Sequence, residues 1–223
     1  MKVKCVAFDF GGVIAEEGFY NGMKAIALRF GLDPEETVDM AFRLVFEAGF
    51  VEGGCTEDEL WDLFRKETGI SARDRDLREM VLSRFIVRPW MLQLARSLRE
   101  DGIITAMLTD QTEWLKELDG RAPFLDLFDP VLNSWDTGKT KKDPSSFTDL
   151  ASAVGLKPEE ILFIDDNEGN VERASTMGLE TILYRDRESF EKEMDTKIFK
   201  ALTVNSESEA SGDGHQDAGE ARA

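Results

Sequence analysis

Four short segments of this chain carry the residue types that handle phosphate or metal chemistry. Asp9 is followed by Gly11 and Gly12, Thr109 by Asp110, and Asp165 and Asp166 stand side by side, with Lys139, Lys141 and Lys142 clustered ahead of that pair. Carboxylates act as nucleophiles or hold hard cations, while hydroxyl and ammonium groups stabilise anions. Paired glycines let a backbone turn tightly or approach a ligand closely. Adjacent carboxylates repel one another, and that arrangement commonly implies a cation. The one histidine, His215, lies in a polar tail, which excludes histidine triads, histidine nucleophiles and His-rich zinc sites. Gly138-Lys139-Thr140 looks like the end of a nucleotide-binding P-loop, but Asn133 stands where that motif needs a glycine.

Something must hold these groups together. Five short apolar runs read as buried parallel strands: 3–8, 103–108, around 131–132, 161–164 and 181–184. Helical stretches separate most of them. Pro89 to Glu100 places Trp90, Leu94 and Leu98 on one stripe and stops at Asp101-Gly102, and 147–154 and 171–177 repeat the pattern. Strand–helix alternation predicts an α/β domain with a parallel sheet covered on both faces. Ligands of such sheets gather at the carboxyl ends of the strands, and that is where Asp9, Thr109, Asp110, Asp165 and Asp166 fall.

Between the first two strands lies a long segment without strand character. Its periodicity predicts helices over 21–30, 35–48, 57–68 and 72–85, with Thr56 and Glu59 forming a capping box. It is too long for a crossover and reads as an inserted helical cap. The organisation expected is a core of residues 1–15 and 88–202, a cap of 16–87, and a disordered acidic tail of 203–223, whose composition cannot offset its ordering entropy.

The chain has 223 residues, 42% of them hydrophobic, and a formal net charge of −18. Such a charge repels nucleic acid and anionic membrane surfaces, so neither is an expected partner. No signal-peptide pattern and no membrane-length apolar run is evident, and the expected location is the cytoplasm. Cys5 and Cys55 cannot build a disulfide framework, and Cys5, set in an apolar run, reads as a buried thiol. Arg43, Arg84 and Arg88 are candidates to reach an anionic substrate, with solvated or ion-paired arginine as the plainer reading. Oligomeric state and substrate have no signature in the sequence.

The ordered set resembles the haloacid dehalogenase superfamily, in its branch with a helical cap inserted after the first strand. The matching pieces are Phe8-Asp9-Phe10-Gly11-Gly12-Val13-Ile14, Ala106 to Asp110, Gly138 to Pro144 and Leu162 to Val171. The resemblance implies a Rossmann-like core, a mobile cap and hydrolysis of a small phosphorylated metabolite. It further implies that Asp9 attacks phosphorus to give an aspartyl-phosphate. Mg²⁺ is the cofactor expected, held by Asp9, the Gly11 carbonyl, Asp166 and Asp165, with Asn170 orienting them. The phosphate would meet Gly11, Gly12, Thr109, Asp110 and Lys141, with Thr109 and Lys141 stabilising the transferring group.

Three positions depart from the phosphatase pattern. Gly11 stands where a second aspartate commonly serves as general acid and base, Asp110 replaces an asparagine, and Lys142 replaces a proline. The gap at Gly11 is shared with the dehalogenase branch and with a group acting on glucose 1-phosphate. It favours a leaving group that needs little protonation, such as an anomeric sugar phosphate or an acyl phosphate. Two alternatives stand beside the phosphatase: a phosphate-binding regulatory module without turnover, and a metal-independent 2-haloacid dehalogenase.

Overall fold

The first strand, β1 (Cys5–Phe8), is buried at every residue because both faces of its sheet are covered. A computed structural model describes residues 3–199 of the chain. In it β1 pairs in parallel with β2 (Ile104–Thr109) on one side and with β4 (Ile161–Asp165) on the other. The outer strands are β3 (Val131–Asn133) and β5 (Glu180–Leu183), giving a five-stranded sheet of order β3-β2-β1-β4-β5. The two-residue period of a strand sorts its side chains. Cys5, Ala7, Ala106, Leu108, Ile161 and Phe163 pack on one face against Phe147 and Leu150. Val6, Phe8, Met107, Leu162 and Ile164 pack on the other, in the same cluster as Met91, Leu98 and Phe190. Burial pushes the Cys5 thiol up to about 12, so it stays protonated.

Between β1 and β2 lie α1 (Gly18–Phe30), α2 (Pro34–Glu47), α3 (Glu57–Thr68) and α4 (Asp74–Leu82), which form the helical cap. Thr56 accepts from the Glu59 amide while Glu59 accepts from the Thr56 amide, so the capping box forms. Helix α1 starts three residues earlier than its periodicity suggests. Glu17 caps it, and Gly18 lies so near Phe85 that a Cβ there would come within 2.3 Å of the ring. The crossover into β2 is α5 (Pro89–Glu100), with Pro89 at a position that needs no amide donor.

Among the described residues, three further α-helices escape the sequence reading. They are α6 (Trp114–Arg121), α7 (Ser134–Thr137) and, beyond α8 (Ser145–Val154) and α9 (Glu168–Thr176), α10 (Arg187–Met194). Each spans at most eight residues, and helices this short depend on packing rather than on their own propensity. The cap sits on the core through polar anchors. Glu57 accepts from the indole N–H groups of Trp61 in the cap and Trp114 in the core, at 2.9 Å each. Ser134 donates to the Val51 carbonyl at 2.6 Å. The tail expected over 203–223 lies outside the described residues.

Candidate active site

Parallel register decides what meets at the top of the sheet. Phe8 is level with Met107 on β2 and with Ile164 on β4, so Asp9, Thr109 and Asp165 leave their strands within about one residue of the same height. Asp9 is 8% exposed. Its Oδ1 accepts from the Phe10 amide and from the Thr109 hydroxyl, both at 2.7 Å, and its Oδ2 lies 2.8 Å from Lys141 Nζ. Lys141 is 1% exposed and also donates to Asp165 Oδ2 at 2.6 Å.

The adjacent aspartates have separate surroundings. Asp165 is fully buried and internally satisfied. Its Oδ1 accepts from the Asn167 amide and Asn170 Nδ2, and its Oδ2 from Lys141 Nζ and Asn170 Nδ2. Asp166 points the other way, over Gly12. A Cβ on Gly12 would come within 2.0 Å of Asp166 Oδ2, and Gly12 has φ +75°. Both facts require glycine there.

Charge is unbalanced in this crevice. Burial raises Asp9 well above the ordinary carboxylate range, Lys141 opposes that rise, and Asp165 and Asp166 add to it. Asp166 is exposed as a residue, but its carboxylate is crowded by protein; that desolvation, with Asp165 beside it, pushes its pKa up to about 6. Burial works against the Lys141 ammonium, yet Asp165, Asp9 and Asp110 hold its pKa above the usual lysine value. Oxygen atoms of Asp9, Asp165 and Asp166 all lie within 4.8 Å of one another. Asp9 and Asp166 are oxygen donors of the kind a hard cation takes, and its charge would offset the surplus of carboxylates, whereas the Asp165 oxygens are already engaged within the protein.

The remaining residues named from the sequence surround one cavity of about 320 Å³, lined by Asp9, Gly11, Asp110, Lys141, Asp166 and Asn170 among others. Gly12 lies behind Asp166 rather than on the wall. Asp110 accepts from the Lys141 amide at 2.9 and 3.2 Å through its two oxygens, and burial raises its pKa. It therefore shapes the lysine loop. Lys142 sits 3.4 Å over the Phe46 ring, joining that loop to α2. An apolar recess opens beside the cavity, walled by Phe19, Phe42, Phe46, Phe85 and Trp114, and it shares Glu17, Asp110 and Gln111 with it.

Several contacts emerge only in the fold. Arg173 donates to the Lys141 carbonyl at 2.9 Å and to Asn170 Oδ1 at 2.6 Å, tying α9 to the lysine loop. Arg88 donates to the Gly12 and Val13 carbonyls and pairs with Glu16 at 3.0 Å. Arg43 pairs with Glu47, and Arg84 donates to the Met80 carbonyl. Glu17 is the largest omission. It lines both cavity and recess, and burial, with Asp166 nearby, pushes its carboxyl up to about 7.

A parallel sheet with carboxylates and a lysine gathered at its carboxyl edge has them where open sheets of this kind bind their ligands. The chain belongs to the haloacid dehalogenase-like hydrolases, whose family description matches residues 3–178. Rat bifunctional epoxide hydrolase 2 is 27% identical over 218 residues, covering 87% of this chain. The chain spans about two fifths of the length of the rat and mouse bifunctional epoxide hydrolases it matches. Among solved structures, a HAD family enzyme from Bacteroides thetaiotaomicron superimposes with a TM-score of 0.69 at 22% identity, over 83% of this chain and 95% of that one. The same enzyme in complex with magnesium and inorganic phosphate gives 0.66. L-2-haloacid dehalogenase from Xanthobacter autotrophicus, with chloropropionic acid covalently bound, gives 0.61 at 19% identity, over 90% of this chain and 88% of that one. Among the described residues no helix is long and apolar enough to cross a membrane.

Proposed function

We propose that this chain is a Mg²⁺-dependent phosphatase that hydrolyses a small phosphorylated metabolite through an aspartyl-phosphate on Asp9. The observation that carries the reading is the cluster of three carboxylates, with oxygens of Asp9, Asp165 and Asp166 within 4.8 Å of one another while Lys141 pairs with Asp9 and Asp165. A carboxylate attacking a phosphate dianion meets like charge. Asp9 and Asp166, with the Gly11 carbonyl, would hold Mg²⁺, and the ion supplies positive charge to phosphate and nucleophile alike. Asp165 takes part by fixing Lys141, since its own oxygens are engaged within the protein.

The chain's own groups do the rest. Thr109 and the Phe10 amide hold the Asp9 carboxylate in one orientation. As the phosphoryl group arrives, the Thr109 hydroxyl and Lys141 ammonium turn part of their bonding toward its oxygens, where charge develops. Lys141 needs no help to stay charged, because its carboxylate neighbours keep it protonated. A cavity of about 320 Å³ lies at the small end of ligand pockets and suits a metabolite of sugar-phosphate size.

The solved dehalogenase shares the fold, but a metal-independent dehalogenase has no use for Asp166. Left without a cation, Asp166 raises the cost of ionising the nucleophile. Turnover of p-nitrophenyl phosphate with Mg²⁺ and with EDTA separates these readings. The expected result is hydrolysis that requires Mg²⁺ and disappears in Asp9→Asn. Release of chloride from 2-chloropropionate in EDTA would replace this proposal by the dehalogenase. Stable beryllofluoride capture on Asp9, without hydrolysis of any phosphomonoester in a panel, would replace it by a binding module.

A further inference from the structure

Position 11 is occupied by more than a glycine. A Cβ built on Gly11 would come within 2.9 Å of Glu17 Oε2 and 3.3 Å of Gln111 Nε2. In an aspartate the carboxyl oxygens lie about 2.4 Å from their own Cβ, by ordinary bond lengths and angles. The Glu17 carboxylate thus stands in the shell that an aspartate two residues beyond Asp9 would fill with its own carboxyl.

The chain between the two residues is tightly held. Gly11 bridges to Ala15, and Ala15 to Val87. Arg88 clamps the Gly12 and Val13 carbonyls and Glu16. Gly18, next to Glu17, lies against the Phe85 ring. Glu17 Oε1 caps α1 through a long 3.4 Å contact with the Tyr20 amide. Its Oε2 is the atom that faces Gly11. Glu17 therefore stands where the acidic cavity meets the apolar recess. A phosphomonoester with its phosphate at Asp9 and its organic part in the recess would place the bridging oxygen at this junction. Asp110 also borders both spaces, but both its oxygens are held by the Lys141 amide.

The geometry points to Glu17 as the group that protonates the leaving oxygen, supplying from the base of the cap the carboxyl that Gly11 lacks. This inference rests on the phosphatase reading. In the first step a bond forms from Asp9 to phosphorus and the phosphorus–ester bond breaks. The ester oxygen keeps that electron pair, takes the Glu17 proton and departs as the alcohol. In the second step the Glu17 carboxylate takes a proton from water as the water oxygen bonds to phosphorus. The Asp9–phosphorus bond then breaks with its electrons returning to Asp9, phosphate leaves, and Glu17 is again protonated. With this donor in place, substrates extend beyond anomeric and acyl phosphates to ordinary alkyl phosphates.

The test compares two esters in wild type and Glu17→Gln: glucose 6-phosphate, whose alcohol leaves poorly, and p-nitrophenyl phosphate, whose phenolate needs no proton. General acid catalysis is worth roughly 10²–10⁴ in rate. The expected result is a loss of that size in kcat/KM for glucose 6-phosphate and less than about tenfold for the aryl ester. The variant should also release a burst of p-nitrophenol before slow turnover, because its second step lacks a base. In Glu17→Ala, adding Gly11→Asp should restore glucose 6-phosphate turnover. A retained kcat/KM for the aryl ester shows that the variants fold and that the phosphatase reading stands. An equal loss on both esters, or none on either, overturns the role of Glu17. A wild-type chain that hydrolyses neither ester overturns both readings.

Discussion

Lys141 Nζ donates to Asp165 Oδ2 across 2.6 Å, in a setting where the side chains are 2% and 0% exposed. This buried pair fastens the loop after β3 to the end of β4. From there Lys141 reaches Asp9 at 2.8 Å, so one ammonium serves both a structural carboxylate and the proposed nucleophile.

Removing that ammonium should therefore cost stability as well as chemistry. Breaking one partner of a buried pair typically costs about 3–5 kcal/mol because the other charge is stranded. Lys141→Met strands Asp9 and Asp165 together. Urea unfolding of the metal-free variant should show a loss in that range, with no measurable phosphatase turnover. A variant as stable as wild type would contradict the view that Lys141 balances these carboxylates.

Gly12→Ala tests the seat of Asp166. Its Cβ would fall 2.0 Å from Asp166 Oδ2 at a residue with φ +75°, so the carboxylate must move. The left-handed backbone alone costs roughly 1–2 kcal/mol. Beyond that modest destabilisation, the Mg²⁺ concentration needed for half-maximal activity should rise at least about tenfold, as for other losses around a metal ligand. Unchanged Mg²⁺ dependence would show that Asp166 holds no metal.

Glu17 links stability to pH. Its carboxyl is pushed up from 4.5 to about 7 in the folded chain. Between these values the folded state binds more protons than the unfolded one, so stability falls as pH rises through that window. The stabilisation is fully present below about pH 4.5 and is lost above about pH 7. Glu17→Gln carries no ionisation, so without metal it should be the more stable protein at pH 8, by up to about 3 kcal/mol relative to its standing at pH 4. Thermal unfolding at the two pH values reads this out. A difference that does not change with pH would mean that Glu17 is not desolvated.

Glu57 holds the cap to the core by accepting from Trp61, Trp114 and Arg78. Glu57→Ala leaves two indole N–H groups without that partner, each worth about 1–3 kcal/mol when buried. The expected outcome is a loss of about 2–4 kcal/mol, with a larger effect on KM than on kcat as the recess wall at Trp114 loosens. Fluorescence-monitored unfolding and steady-state kinetics measure both.

Much of this site was legible before folding. Asp9, Thr109 and Asp165 end apolar runs of strand length, and a parallel sheet brings strand ends together whatever the intervening chain does. The cap was readable for the same kind of reason, since Thr56-x-x-Glu59 and the stripes of α2 and α3 are local patterns. Glu17, Arg173 and the grip of Arg88 on Gly12 were not legible, because each acts on residues that reach it only through the fold. Arg173 meets Lys141 through the packing of α9, and Arg88 meets Gly12 because the two cap linkers run side by side.

The sequence by itself determined the parallel sheet, the inserted cap and the set of oxygen and nitrogen groups at the strand ends, because each follows from periodicities and motifs only a few residues long. Tertiary structure alone decided how those groups divide the work. Asp165 and Asp166 are chemically identical neighbours, and they become different because Asp165 closes β4 inside the protein while Asp166 stands where the chain bends beyond the strand. One faces Lys141 and Asn170, the other Gly12 and the cavity. Gly11 reads as a missing carboxyl in one dimension; in three, the space beside it holds the carboxylate of Glu17.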